Sequence, residues 1–244
     1  MSSVSSASSG SSGSSASSRS SGASASSVKV LVTGFAPFDG AEVNPSWQAA
    51  ELLAAEPPAG LDISAVQLSC VFGTALDELR DAVHAAGPDL ELVVCLGQAG
   101  GRPDLTVERV AINVDDARIP DNAGRQPVDE PIVPGGPAAY FSTLPIKACV
   151  AAARDAGIPA SVSQTAGTFV CNHVFYGLAH LLATERPEVR GGFVHVPYSP
   201  HQVANRHPAP PSLSVPDAVR GLTALLTTAA HTTVDLREAG GATH

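Results

Sequence analysis

Long hydrophobic runs are missing from this chain. No uninterrupted apolar stretch approaches the roughly 18 residues that a membrane-spanning helix needs. The nearest, Leu222 to Val234, carries threonines and a histidine and reads as an amphipathic or core helix. Positive charge is scarce too. Fourteen Lys and Arg face 23 Asp and Glu, a formal net charge of -9, and the only lysines are Lys29 and Lys147. That balance argues against nucleic acid and anionic membrane as partners, because both are bound mainly by neutralising phosphates. Cysteine is sparse and dispersed: Cys70, Cys95, Cys149 and Cys171 each lie in an apolar segment, with no CxxC pair. A structural zinc site is not indicated, and reduced thiols in a cytoplasmic protein suit the pattern better than a disulfide framework. There is no internal repeat, no Walker A loop and no GxGxxG after a strand, so nucleotide binding has no support in the sequence.

The first 27 of the 244 residues also lack what a fold requires. Seventeen are Ser, the only charged side chain is Arg19, and no apolar run appears before Val28. Such a segment cannot bury enough surface to offset its ordering entropy and is expected to be disordered. It lacks the charged and apolar regions of a secretory signal. Residues 28 to 234 are expected to form one globular domain, and residues 235–244, with Gly240-Gly241, a flexible tail.

Within that domain, strands and helices alternate. Strands are expected at Val28–Val32, Ile63–Val71, Leu90–Leu96, Val107–Asn113, Ala160–Thr165 and Gly192–Val196. Helices are expected at Ser46–Ala55 (Pro45 at N1), Ala75–Ala86, Leu144–Ala156, the segment after Cys171, and Asp217–Ala230. Residues 114–144 are loop-rich. Alternation of this kind predicts a single-domain, three-layer α/β sandwich: a largely parallel central sheet with helices on both faces. Functional sites in such sheets gather at the carboxyl ends of the strands.

Val170-Cys171-Asn172-His173 stands where a β-like run and the small turn Ala166-Gly167-Thr168 give way to an amphipathic helix marked by Val174, Leu178, Leu181 and Leu182. Cys171 is therefore expected in the first helical turn, where free N–H groups and the helix dipole favour a thiolate. A free cysteine is also an ordinary small core residue. Two further residues are out of character with their strands. His195 lies near the carboxyl end of Gly192–Val196, and Glu108 lies in Thr106–Ala111. A buried imidazole or carboxylate needs a polar partner. A satisfied core histidine and an ion pair with Arg109 explain each of them taken alone. Taken together, the three supply a thiol nucleophile, an imidazole base and a carboxylate to orient the base. Arg118 offers positive charge for an oxyanion, with a salt bridge to Asp115, Asp116 or Asp121 as the alternative.

Longer motifs carry a resemblance. Thr33-Gly34-Phe35-Ala36-Pro37-Phe38-Asp39-Gly40 with Asn44-Pro45-Ser46-Trp47, Gly97-Gln98-Ala99-Gly100-Gly101-Arg102, Val107–Asn113, Thr165–His173 and His195-Val196-Pro197-Tyr198 occur in order. In these blocks the chain resembles the pyroglutamyl peptidase I (pyrrolidone carboxyl peptidase) family of cysteine exopeptidases, from Val28 to about Ala230. The resemblance implies removal of N-terminal pyroglutamate from peptides, with Cys171, His195 and Glu108 catalytic. It places Arg118 at the oxyanion and Phe35, Phe38, Asn44, Gln98, Ile119, Phe169 and Val170 at the substrate. No metal or organic cofactor is implied, and assembly is implied to be a homo-oligomer, often a tetramer. Two other readings are a nucleoside phosphorylase-like enzyme on the same architecture and a non-catalytic module binding a small molecule or peptide.

Overall fold

The computed structural model describes residues 1–5 and 27–241. The Ser-rich extension thus lies almost entirely outside the described residues. The first half of the fold comprises β1 (Val28–Phe35), α1 (Pro45–Ala55), β2 (Leu61–Leu68), α2 (Thr74–Ala85), β3 (Leu90–Gln98), β4 (Leu105–Glu108) and β5 (Val110–Ile112). The second half comprises β6 (Ala139–Phe141), α3 (Ile146–Asp155), β7 (Ala160–Ser163), α4 (Val170–Glu185), β8 (Arg190–Val196), the single turn α5 (Pro200–Val203) and α6 (Val215–His231).

The main sheet has the order β2-β1-β3-β8-β4-β7. Its first four strands are mutually parallel, and β4 runs antiparallel to β8 and parallel to β7, so one edge of the sheet is reversed. This is the expected α/β sandwich with a mostly parallel sheet. One face buries Val94, Leu96, Leu105, Val107, Val194 and Val196 with residues of α1, α3 and α6; the other buries Val93, Cys95 and Phe193 with residues of α2 and α4. Near-continuous apolar strands are what burial on both faces demands.

Two details depart from the sequence expectation. The single strand expected over Val107–Asn113 is divided at Arg109. Its N–H continues the main ladder by donating to Ser163 O (3.0 Å), while its C=O accepts from Ser142 N–H (2.9 Å), after which β5 pairs with β6 in a separate hairpin. The tail is also more engaged than composition suggests. α3 has no side-chain cap of its own, and the Asp235 carboxylate accepts from the N–H groups of Lys147 and Ala148 at 3.0 and 2.9 Å. Lys147 Nζ donates to Glu238 O, and Gly240 O accepts from Arg109 and Gln164. A missing local cap is met by a residue almost 90 positions away, satisfying orphan donors that would otherwise stand open.

Candidate active site

The sulfur is placed by a helix start. Phe169 is the N-cap of α4, with extended backbone and no side-chain cap bond. The N–H groups of Val170, Cys171 and Asn172 have no acceptor among the described residues. Asn172 instead spends its side chain as a clamp: Oδ1 accepts from Ile112 N–H (3.1 Å), and Nδ2 donates to Ile112 O and Val114 O at 2.9 and 3.0 Å. The first turn of α4 is therefore fixed to β5 while its first N–H groups stay unpaired among the described residues. Cys171 is half-buried; Cys70, Cys95 and Cys149 are buried. Room for its sulfur comes from β3, where a Cβ on Gly97 would stand 2.9 Å from Cys171 Sγ and 2.7 Å from Phe193 Cζ.

The base and the acid are placed by strand register. Gly97 pairs with His195 between β3 and β8, and Thr106 pairs with His195 between β4 and β8. Side chains alternate with period 2, so Gly97, Thr106, Glu108, Phe193 and His195 share the face that α4 covers. Because β4 is reversed, Glu108 lies one step beyond the Val107–Val194 pair, on the deep side of His195. His195 Nδ1 donates to Glu108 Oε1 at 2.7 Å. That bond leaves Nε2 as the open nitrogen. Glu108 is fully buried, and the same Oε1 accepts from Arg102 Nη1 at 2.6 Å. An isolated carboxylate at this depth would cost several kcal/mol; Arg102 supplies the counter-charge. Glu108 Oε2 has no protein partner among the described residues.

Burial governs the protonation states. It pushes the thiols of Cys70, Cys95 and Cys149 up to about 12. It also raises Cys171, with nearby Cys70 and Glu108 adding to the rise and Arg102 opposing it. His195 is lowered below its ordinary 6.5 by burial, against the raising effect of Glu108. Desolvation at Cys171 thus opposes the thiolate that its place at the helix start favours. The free N–H groups of α4 are left to receive negative charge on a bound carbonyl.

A cavity of about 310 Å³ opens over these groups and is lined by Cys171, His195, Arg102, Phe35, Phe38, Asn44, Cys70, Gln98, Phe169 and their neighbours. Phe169 packs at 5.2 Å (ring centroids) on both Phe38 and Phe72, the latter edge-on, and Phe35 packs on Phe193 at 6.4 Å. Cys171 and His195 make no hydrogen bond to each other in this structure, yet both face the same cavity. A catalytic contact of this kind commonly tightens only around substrate. Among the described residues no group of three His, Cys, Asp or Glu side chains gathers as a metal site, and no helix is long and apolar enough to cross a membrane.

The pyroglutamyl peptidase family model matches residues 28–232. The chain belongs to the pyroglutamyl peptidase family. A pyrrolidone-carboxylate peptidase of Streptomyces coelicolor is 66% identical over 218 residues, spanning 88% of this chain and 99% of the relative. One from Escherichia fergusonii is 57% identical over 215 residues, with the same coverage of each. Among solved structures, pyroglutamyl peptidase I of Bacillus amyloliquefaciens superposes with a TM-score of 0.84 at 46% identity, covering 87% of this chain and all of that one. A variant of the Pyrococcus furiosus pyrrolidone carboxyl peptidase gives 0.79 at 40%, covering 83% and 98%.

Against this pyroglutamyl peptidase scaffold the expected site residues divide into two groups. Cys171, His195, Phe35, Phe38, Asn44, Gln98 and Phe169 line one cavity, with Glu108 behind His195. Asn44 is also the N-cap of α1: Oδ1 accepts from Ser46 N–H and Oγ–H, and Nδ2 donates to Ala36 O. Its polar atoms anchor the loop that carries Phe38. Gln98 Oε1 accepts from Gln202 Nε2 (2.8 Å). Val170 is buried and outside the lining. Arg118 and Ile119 are exposed and outside it as well. Arg118 forms none of the salt bridges its spacing suggested, because Asp115 pairs with His173, and Asp121 accepts from the backbone of Phe72, Ala123 and Arg125. Its segment is tied to the turn before Cys171 by Asp116 N–H to Thr168 O (3.0 Å) and Thr168 Oγ–H to Asp116 O (2.7 Å). Sequence reasoning passed over Arg102, Asn172 and the buried His173–Asp115 pair. The only available signal was that each lies in or beside a family motif.

Proposed function

We propose that this chain is a cysteine exopeptidase that removes N-terminal pyroglutamate from peptides, with Cys171 as nucleophile, His195 as base and Glu108 as orienting acid. The observation that carries this reading is that the Cys171 sulfur and the open face of His195 line one cavity, with Glu108 bonded to the far nitrogen. The cavity is walled by Phe35, Phe38 and Phe169, with Gln98 as a directed polar group. A compact, uncharged lactam calls for such a lining.

The geometry supports the following sequence. Cys171 Sγ attacks the carbonyl that joins the ring to the next residue while its proton passes to His195 Nε2. The free N–H groups of Cys171 and Asn172 hold the oxyanion, and Arg118, exposed on the segment tied to the turn before Cys171, adds positive charge. His195 then protonates the leaving amine, the C–N bond breaks, and a thioester remains. Water gives its proton to His195 and attacks the thioester, and the released sulfur recovers that proton. Glu108 holds the imidazolium formed at each stage.

Cys171→Ala abolishes release of a chromophore from a pyroglutamyl amide while the fold is retained; surviving turnover would refute the covalent route. Arg118→Ala costs about tenfold, since the helix N–H groups carry most of the oxyanion. Four free thiols support a reducing, cytoplasmic setting. Self-association is supported by the exposed Phe141 and the apolar groove it shares with Tyr140, Ala179, Leu182 and Val189.

A further inference from the structure

We propose that Arg102 is a positioning residue for this reaction: its guanidinium holds the acid that orients the base and also staples the turn that leads to the nucleophile. The inference rests on the exopeptidase reading above. Arg102 stands in the loop between β3 and β4 and lines the cavity. Its Nη1 donates to Thr106 Oγ1 (2.6 Å), Glu108 Oε1 (2.6 Å) and Ser163 Oγ (3.3 Å), and its Nη2 donates to Thr165 O (2.9 Å). One planar group thus joins β4, β7 and the 164–168 turn that immediately precedes α4.

The two arms of this staple do different work. The Glu108 arm is electrostatic. Glu108 Oε1 is shared between Arg102 and His195, so the guanidinium fixes the oxygen to which the imidazole is bonded. The titratable and charged groups that act on His195 are Glu108 from β4 and Arg102, and those that act on Cys171 are Cys70 from the loop after β2, Glu108, Arg102 and Cys95 from β3. Burial holds His195 toward the neutral form that can accept a thiol proton, and Arg102, the cation among these groups, adds to that effect. The Thr165 arm is mechanical. Thr165, Ala166, Gly167 and Phe169 form one wall of the cavity, and Thr165 O is tied to Arg102 across it. A lysine retains the charge but has no fork with which to reach several acceptors at once.

Substitution separates the arms. In Arg102→Met, kcat for a pyroglutamyl amide falls about 10²-fold, and the acid limb of the pH profile moves to higher pH because His195 loses its neighbouring cation. In Arg102→Lys the limb stays at its wild-type position, while KM rises about tenfold as the cavity wall loosens. In a Glu108→Gln background, Arg102→Met lowers kcat by much less than 10²-fold, because the route through Glu108 is already cut. A wild-type limb and kcat in Arg102→Met, a wild-type KM in Arg102→Lys, or full additivity with Glu108→Gln would each overturn the inference while leaving the exopeptidase reading intact. Should Arg102→Met fail to fold, the lysine variant alone decides through its KM. Inactivity of the wild-type enzyme toward pyroglutamyl amides would overturn the reading and the inference together.

Discussion

Two buried histidine–carboxylate pairs sit close to Cys171, and they look alike until their second nitrogens are compared. His195 Nδ1 meets Glu108 Oε1 at 2.7 Å, and His173 Nδ1 meets Asp115 Oδ2 at 2.7 Å. In each pair the carboxylate keeps one oxygen without a protein partner among the described residues. The difference is at Nε2. That of His173 accepts from Gly73 N–H at 2.9 Å, under the edge of Phe72. That of His195 has no protein partner among the described residues and faces the cavity. An imidazole with both nitrogens engaged has no lone pair to offer a thiol, so His173 clamps the loop after β2 to α4. An imidazole with one nitrogen open can act as a base, the role proposed for His195. An imidazole beside a carboxylate is thus a fastener in one place and the proposed base in the other, and one backbone N–H makes the difference.

Breaking each pair sharpens this contrast. His195→Gln has the largest effect on chemistry, lowering kcat by about 10³-fold or more with little change in thermal stability. His173→Leu does the reverse. It strands Asp115 and Gly73 N–H in the interior and costs about 3–5 kcal/mol of stability, roughly 10 °C in Tm for a domain of this size, while the folded enzyme retains activity within about tenfold of wild type. Calorimetry beside steady-state kinetics checks both. Gly97→Ala comes next: its methyl group meets Cys171 Sγ and Phe193, displacing the sulfur, and kcat falls about 10²-fold with the fold retained by circular dichroism. Asp115→Asn is the mildest, costing about 1–2 kcal/mol because a neutral acceptor still reaches His173.

Much of this was legible in the sequence because buried polar residues are conspicuous. Glu108 and His195 stand out in largely apolar strands, although Arg109 beside Glu108 also allowed a plain ion pair, and Cys171 stands at a turn-to-helix switch. The reversal of β4 was not legible, since a period-2 pattern reads the same in either direction; only the pairing with β8 reveals that Glu108 lies beneath His195 rather than beside it. Arg102 was hidden because its acceptors lie 4, 6, 61 and 63 residues away, distances that no local pattern encodes. For the same reason His173 reads as one more residue on a helix face until Gly73 is brought to it from 100 positions upstream. What acts on the Cys171 thiol was legible only in part: helix position was visible in the sequence, but the desolvation that opposes a thiolate is a property of the packed site.

The most direct test of the contrast is the acid limb of kcat/KM for a pyroglutamyl amide, measured for wild type, His173→Gln and Glu108→Gln. With His195 as a neutral base lowered by burial and raised in part by Glu108, the wild-type limb falls below pH 6.5. It stays there in His173→Gln and moves lower still in Glu108→Gln. A limb at or above 6.5, or one that follows the change at His173, would contradict the assignment of base and clamp.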